Sequence, residues 1–173
     1  AAAKARAKPL LEAISMKVFD FGTNPADANL NKLAANFLIA SAIEALAEAF
    51  TFVSKNGADP NILLETVGST LFACPIYQNY GRQISEKKYM EPMFKLQLGQ
   101  KDVRLIAEIA TDNHTTMRFA RVLEDRFAAA IAPGRSNYDR PGIAAEVGAR
   151  AGLERRVVVQ EQTNRGAPGK RVR

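Results

Sequence analysis

Tryptophan is absent from the 173-residue sequence, and cysteine and histidine each occur once. A single thiol, Cys74, excludes an internal disulfide and cannot build a thiolate metal site alone, so we expect it to be a small buried or half-buried apolar residue. A Ser–His–Asp triad would have to use His114, and no nucleophile lies near it in sequence. Glycine-rich phosphate loops and the HExxH, CxxC and GxSxG motifs are missing too. The sequence therefore predicts no metal site and none of these common catalytic centres.

An apolar segment that fits a signal peptide or an uninterrupted membrane span is also lacking. The alanine-rich start, residues 1–7, is followed by no apolar core region. The most hydrophobic window, residues 33–53, contains Asn36, Glu44 and Glu48, and carboxylates in mid-span are costly in lipid. We therefore expect this window to be a buried helix of a cytoplasmic protein that does not bind a membrane.

Positive charge is unevenly spread along the chain. The formal net charge is +6, but residues 154–173 carry six basic and two acidic side chains and so contribute +4 of it. The preceding residues are close to neutral, and the sequence lacks the basic folded face that is typical of nucleic-acid-binding domains. We expect a basic, flexible tail at 154–173 and no nucleic-acid partner.

Alanine and leucine, by contrast, are abundant, and both favour helix. Asn24-Pro25 is a good helix start, because it combines a capping residue with proline in the first turn. No breaker follows until Asn56-Gly57. The stretch between them, about 30 residues, predicts a helix about 45 Å long. Since this helix is apolar all round, we expect it to be the buried central helix of an all-α bundle.

Shorter helices are predicted along the rest of the chain. Asp59-Pro60 is expected to cap and start one over residues 61–70, whereas residues 74–92 are expected to mix helical turns with loop. Three further helices are predicted over residues 93–112, 115–132 and 139–151.

The first 22 residues have a different pattern. Residues 3–14 favour a helix, and Lys17–Phe21 alternates as a strand does before Gly22 ends it. A single strand is not stable by itself, and the rest of the sequence supplies no sheet for it. We therefore expect residues 1–22 to be the end of a domain whose larger part lies upstream.

Lys32 and Asn36 are the first candidate site residues. They are four apart and so share one face near the start of the long helix. One hypothesis is a proton donor with an orienting amide, in which desolvation shifts the lysine towards a useful pKa. The other is a surface lysine beside a satisfied asparagine, and spacing alone favours this second interpretation.

Phe94, Lys101 and Asp102 form the second candidate group, at the predicted start of a helix. An aromatic ring and an ammonium group placed there would flank an anionic ligand. The alternative is a core phenylalanine and an exposed Lys–Asp pair, and the pattern alone favours this alternative.

A series of short motifs runs from about residue 5 to 153. The motifs are Lys8-Pro-Leu-Leu-Glu-Ala-Ile, Lys17-Val-Phe-Asp-Phe-Gly22, Asn29-Leu-Asn-Lys-Leu-Ala-Ala-Asn-Phe-Leu, Glu44-Ala-Leu-Ala-Glu-Ala, Gly57-Ala-Asp-Pro, Phe94-Lys-Leu-Gln-Leu, Lys101-Asp-Val-Arg-Leu and Tyr138-Asp-Arg. Taken in this order, they resemble the β-hydroxyacid dehydrogenase family, which includes 3-hydroxyisobutyrate dehydrogenase and 2-hydroxy-3-oxopropionate reductase. Each motif is weak alone, but the whole series, with family-like gaps, is specific.

The resemblance implies a domain organisation. In that family a Rossmann domain binds NAD or NADP and precedes an all-α domain, similar to the C-terminal domain of 6-phosphogluconate dehydrogenase, that typically makes a homodimer. Residues 1–22 then correspond to the end of a truncated dinucleotide-binding domain. Residues 23–153 correspond to the helical substrate and dimerisation domain.

The resemblance also implies roles for the candidate residues. Lys32 matches the proton donor or acceptor at the hydroxyl or carbonyl oxygen of a small hydroxyacid or semialdehyde. Asn36 matches the residue expected to hold substrate, and Phe94 matches the aromatic residue near the nicotinamide. Lys101 is placed beside the cofactor or the substrate carboxylate, with Asp102 supporting it.

Some family features are not matched. The glycine-rich nucleotide loop and the Ser-Gly-Gly region have no counterpart, and His114-Thr-Thr stands where relatives often have a Val-Pro-x-Pro-like turn. The implied function is the C-terminal domain of an NAD(P)-dependent oxidoreductase that acts on a 3-hydroxyacid or its semialdehyde, and that is inactive as an isolated piece. The alternative is a non-catalytic helical dimerisation module derived from the same domain.

Overall fold

The computed structural model describes residues 2–153, which form seven α-helices and one 3₁₀ turn. No strand occurs within that range, and the predicted all-α class is confirmed. The predicted basic tail, residues 154–173, lies outside the described residues. In chain order the helices are α1 (Ala2–Ile14), α2 (Pro25–Lys55), α3 (Pro60–Ser69), α4 (Pro75–Ser85), α5 (Leu96–Asp112), α6 (Arg118–Ile131) and, after a 3₁₀ turn at Arg140–Gly142, α7 (Ile143–Arg150).

The chain divides into two compact units, residues up to Ala35 and residues from Asn36 onward. In the first unit an irregular segment joins α1 to the start of α2. This segment differs from the prediction, because Lys17–Phe21 forms no strand. A strand needs a neighbouring strand for its N–H and C=O groups, and residues 2–153 contain none. A side-chain contact holds the segment instead, since the Asp20 carboxylate accepts a hydrogen bond from the Lys4 ammonium.

Helix α2 is the predicted long helix. The Asn24 side-chain oxygen accepts the Ala26 N–H at 3.1 Å and caps its start, as predicted. Residues 40–50 supply buried side chains to the core, whereas Leu38 and Phe52 are 66% and 69% exposed. The helix is therefore not buried on all sides, since Ala45 and Glu48 are exposed even in its middle. By length and composition α2 would suit a membrane span, as the core helix of a folded domain also does.

The core of the second unit joins side chains from α2, α5, α6 and α7. Gly99 allows α5 to approach α6 closely, because a Cβ at this position would lie 2.6 Å from the Phe127 ring. This packing fixes the first turns of α5, which carry Lys101 and Asp102. The fully buried members of the core include Ile43, Leu96, Leu123, Phe127 and Ile143.

Helix α5 begins at Leu96, three residues later than predicted. The Phe94 N–H donates to the Asp139 carboxylate at 3.0 Å, and the Leu96 N–H donates to the Tyr138 carbonyl at 2.8 Å. A β-bridge also pairs Lys95 with Asp139. These long-range hydrogen bonds hold residues 94–95 against residues 138–139. Residues 94–95 therefore stay outside the helix.

Two residues that the sequence singled out lie in loops or at helix ends. Cys74 is exposed, so its prediction as a buried or half-buried residue is wrong. It is the N-cap of α4, immediately before Pro75, and a position before the first helical turn is not part of a core-facing stripe. His114 follows the end of α5 with a left-handed φ of +53°, and α6 begins at Arg118 rather than at Thr115.

Glu44 and Arg126 form an ion pair inside the second unit. Glu44 is 2% exposed, and its Oε1 accepts a hydrogen bond from Arg126 Nε, while Oε2 is buried without a hydrogen-bond partner. Arg126 Nη2 also donates to the exposed Glu48 at 3.1 Å. Burial raises the pKa of Glu44, and the neighbouring Arg126 opposes that rise. A charge pair therefore ties α6 to the central helix.

Candidate functional site

Lys32 and Asn36 lie on successive turns of α2, as predicted. Lys32 is exposed and Asn36 is half buried. One helical turn advances about 5.4 Å along the axis. Lys32 belongs to the first compact unit and Asn36 to the second.

Asn36, Lys101 and Asp102 are brought together in the second unit. Asn36 Nδ2 donates to Asp102 Oδ2 at 2.5 Å, and Asp102 is 4% exposed. The Lys101 ammonium lies 3.7 Å from Asp102 Oδ1, with its side chain 66% exposed. The alternative prediction was an exposed pair of Lys101 and Asp102. It is wrong for Asp102, whose carboxylate is buried. A buried carboxylate thus fixes the amide of Asn36 and stands beside an accessible positive charge.

Phe94 is half buried in the segment before α5. Its ring packs on the guanidinium of Arg140, whose Cζ lies 4.0 Å from the ring centre. Its backbone N–H donates to Asp139, and its carbonyl accepts the Arg140 N–H at 3.1 Å. Phe94 therefore contacts the 3₁₀ turn, and it is not the core phenylalanine of the alternative interpretation.

Asp139 and Arg140 lie beside Phe94, and sequence reasoning gave neither of them a role in the site. Arg140 is 7% exposed, and its Nη2 donates to the Tyr80 hydroxyl at 3.0 Å. Asp139 is 2% exposed and accepts backbone N–H groups from both Phe94 and Arg140. The motif Tyr138-Asp-Arg was part of the family resemblance, and this was the available signal. Apart from the resemblance, Asp139-Arg140-Pro141 served in the sequence only as the start of the last predicted helix.

A separate cavity of about 340 Å³ lies elsewhere in the second unit. None of the candidate site residues lines it. Burial raises the pKa of Tyr89, which lines the cavity, to about 12. The other residues that line the cavity include Phe50, Ile84, Arg135, Tyr138 and Leu153.

Among residues 2–153 no group of three His, Cys, Asp or Glu side chains is placed to hold a metal ion.

Comparison of the sequence with known proteins identifies one family model and several related oxidoreductases. Residues 26–147 match the family model described as the NAD-binding domain of NADP-dependent 3-hydroxyisobutyrate dehydrogenase. The chain is 37% identical over 139 residues to the uncharacterized oxidoreductase YfjR of Bacillus subtilis, covering 80% of this chain and 48% of that protein. It is 28% identical over 138 residues to 2-hydroxy-3-oxopropionate reductase of Escherichia coli, covering 80% and 47%.

Solved structures share the fold. The structure superposes on 3-hydroxyisobutyrate dehydrogenase from Salmonella typhimurium with a TM-score of 0.77 at 21% sequence identity, covering 83% of this chain and 50% of that one. The chain thus spans about half the length of the relatives it matches. The family model covers most of the helical part, including every candidate site residue. The chain belongs to the 3-hydroxyisobutyrate dehydrogenase family of NAD(P)-dependent β-hydroxyacid dehydrogenases.

Proposed function

We propose that this chain supplies the substrate-binding and dimerisation half of an NAD(P)-dependent oxidoreductase that acts on a 3-hydroxyacid or its semialdehyde. The observation that carries the proposal is the amide of Asn36 held by the buried Asp102 carboxylate, one helical turn after Lys32 and beside the Lys101 ammonium. A set of this kind binds a small molecule that has both a hydroxyl or carbonyl group and an anionic group.

In this proposal Lys32 moves the proton. Its ammonium donates to the carbonyl oxygen of the semialdehyde during reduction, and its neutral amine accepts the hydroxyl proton during oxidation. The nicotinamide, when bound, supplies or accepts the hydride at the substrate carbon that bears this oxygen. Lys32 is exposed and so meets the first requirement for this role, since its side chain is accessible to substrate.

Asn36 holds the substrate in place. Because its Nδ2 donates to Asp102, the amide orientation is set, and the Oδ1 atom is the acceptor left for a substrate hydroxyl. Asp102 does not need to touch substrate for this effect. Its burial makes the hydrogen bond strong and its geometry fixed.

Phe94, Lys101 and Asp102 are assigned to the cofactor side of the site. The half-buried Phe94 ring offers a flat apolar surface that fits a nicotinamide, and the guanidinium behind it keeps it in place. Lys101 presents an accessible ammonium to a phosphate or carboxylate group, with Asp102 beside it. The residues present therefore fit NAD or NADP.

Exposed apolar side chains of the first unit are consistent with a neighbouring dinucleotide-binding domain. Leu10, Ile14 and Phe19 are 67%, 75% and 63% exposed. In the proposed enzyme these side chains pack against the domain that binds the dinucleotide.

The function is tested by reduction of a panel of three- and four-carbon semialdehyde acids with NADH and NADPH, using the enzyme that contains this chain and a dinucleotide-binding domain. An Asp102→Ala variant is expected to raise KM for the aldehyde acid about ten- to hundredfold, because a charge-assisted hydrogen bond contributes about 1.5–3 kcal/mol. The control is Asp125→Ala, at a residue with no place in the proposed site. A wild-type enzyme that oxidises and reduces none of these acids would contradict the proposal.

The homodimer is the second part of the proposal. Leu38, Ala45 and Phe52 are exposed on α2 at intervals of seven residues, so they lie along one face. If α2 pairs with a second copy in antiparallel fashion about Ala45, Leu38 lies opposite Phe52 of the partner subunit. The small Ala45 at the axis permits close approach, and such a stripe is complementary to itself.

Phe52→Glu is expected to weaken this dimer about thirtyfold or more, because a central interface anchor contributes about 2 kcal/mol. Sedimentation equilibrium or light scattering across a dilution series measures the shift. Ile62→Glu, at an equally exposed apolar residue on α3, is the matched control and should leave the dimer intact. Equal dissociation constants for the two variants would rule out the α2 stripe as the interface.

The alternative is a non-catalytic dimerisation module, and the same exposed stripe is the observation that favours it. A protein that forms the α2 dimer but shows no dinucleotide-dependent oxidoreduction with any acid of the panel supports the module. Dinucleotide-dependent turnover supports the enzyme.

A further inference from the structure

Arg140 is a buried arginine whose guanidinium forms no ion pair within residues 2–153. It is 7% exposed, and its Nη2 donates to the Tyr80 hydroxyl. Its Nε is buried without a hydrogen-bond partner. A buried charge in this state is costly, so the site needs another source of stabilisation.

Two aromatic rings provide that stabilisation. The guanidinium lies 4.0 Å from the centre of the Phe94 ring and 5.7 Å from that of Tyr80. Both distances are within the range of cation–π attraction, and a flat guanidinium also stacks well on a ring. The energy that keeps Arg140 buried is therefore the same energy that holds the Phe94 ring in one orientation.

The backbone locks the same two residues together. One oxygen of Asp139 accepts the N–H groups of Phe94 and Arg140, at 3.0 and 2.9 Å. The Arg140 N–H is also within 3.1 Å of the Phe94 carbonyl. The main chains at Phe94 and Arg140 are thus fixed to each other, and the guanidinium then sets the angle of the ring.

We propose that Arg140 is a positioning residue that presents the Phe94 ring to the nicotinamide, and this inference rests on the proposed function of Phe94. The guanidinium occupies part of the ring surface, and the exposed remainder is pre-oriented for a flat ligand. Pre-orientation removes the loss of side-chain freedom that binding would otherwise require. Arg140 acts through Phe94 and does not need to touch the cofactor or the substrate.

The stacking is measured directly by NMR of the Arg140 Nε–H group in protein labelled with ¹⁵N-arginine. A proton above an aromatic ring resonates upfield, so Phe94→Leu is expected to move this signal downfield. Arg140→Lys identifies the signal by its disappearance. A signal that does not move in Phe94→Leu would overturn the stacking and with it the proposal.

The consequence for binding is measured as the dissociation constant of NADH and NADPH in the enzyme with its dinucleotide-binding domain. Arg140→Met is expected to raise that constant about tenfold, while kcat at saturating cofactor changes less than about threefold. The dissociation constant of Arg140→Lys is expected to lie between those of the wild type and Arg140→Met, because an ammonium keeps the charge without the flat stacking surface. Arg135→Met, at an arginine on the separate cavity, is the control for a general loss of stability and should leave the constant unchanged.

The two proposals fail in different ways. If Phe94→Leu leaves dinucleotide binding at the wild-type value, the cofactor role of Phe94 is wrong, even where the NMR signal moves as expected. If Phe94→Leu weakens binding but Arg140→Met does not, the cofactor role stands and the positioning role of Arg140 is wrong. A thermal melt of each variant confirms that the comparison is made on folded protein.

Discussion

Lys32→Ala is expected to lower kcat of the complete enzyme about thousandfold, while the dissociation constant of the dinucleotide stays near that of the wild type. A positioned general acid or base contributes about 10²–10⁴ in rate, and alanine offers no proton in its place. Binding of the dinucleotide is spared, because Phe94 and Lys101 hold it in the proposed site. Steady-state kinetics and fluorescence titration with NADH or NADPH give the two quantities separately.

Lys55→Ala, at the far end of α2, is the matched control and should keep both kcat and the dissociation constant of the dinucleotide near the wild-type values. Turnover near the wild-type value in Lys32→Ala would remove this residue from the mechanism.

The helices and their caps were largely predictable because their signals are local. Asn24 and Asp59 cap helices as predicted, since each accepts the N–H two residues later, at 3.1 and 2.8 Å. The start of α5 was not predictable, because Phe94 is held by Asp139, a residue 45 positions away. Local propensity contains no information about a hydrogen bond of that kind.

The candidate site was predictable in its parts and not in its arrangement. Helical spacing placed Lys32 and Asn36 on one face, but the burial of Asp102 and its hydrogen bond to Asn36 depend on the packing of α5. Cys74 was predicted to be buried because cysteine usually is, but it lies at the exposed N-cap of α4. Arg140 was missed since arginine in a polar stretch is normally exposed, and its burial requires two aromatic rings from distant segments.

Glu44 illustrates the same limit in the core. In the sequence it served as a charge that argues against a membrane span, and nothing near it identified a partner. The structure supplies Arg126, which is 82 residues away and belongs to α6. The pair follows from the crossing of two helices, and it makes the stability of the unit sensitive to a single arginine.

Arg126→Met is expected to lower the free energy of unfolding by about 3–5 kcal/mol at pH 7, because it leaves the buried Glu44 carboxylate without its cation. Domains of this size are stable by about 5–15 kcal/mol, so the loss is a large share of the total. Urea unfolding followed by far-UV circular dichroism measures it. Arg121→Ala is the control on the same helix, since its ion pair with Glu124 is exposed and such pairs contribute at most about 1 kcal/mol.

The pH dependence and a double substitution separate the lost charge pair from lost packing. Burial already raises the folded-state pKa of Glu44, and removing Arg126 raises it further. Between the ordinary glutamate pKa and this raised value the unfolded chain releases the proton first, so stability falls as pH rises. The deficit of Arg126→Met should therefore shrink as pH is lowered towards 4.5, the ordinary value. Adding Glu44→Leu should restore most of the stability at pH 7, because the pair is then replaced by apolar contacts. A deficit that is the same at both pH values and persists in the double variant would assign the effect to packing, since the carboxylate would then have no part in it.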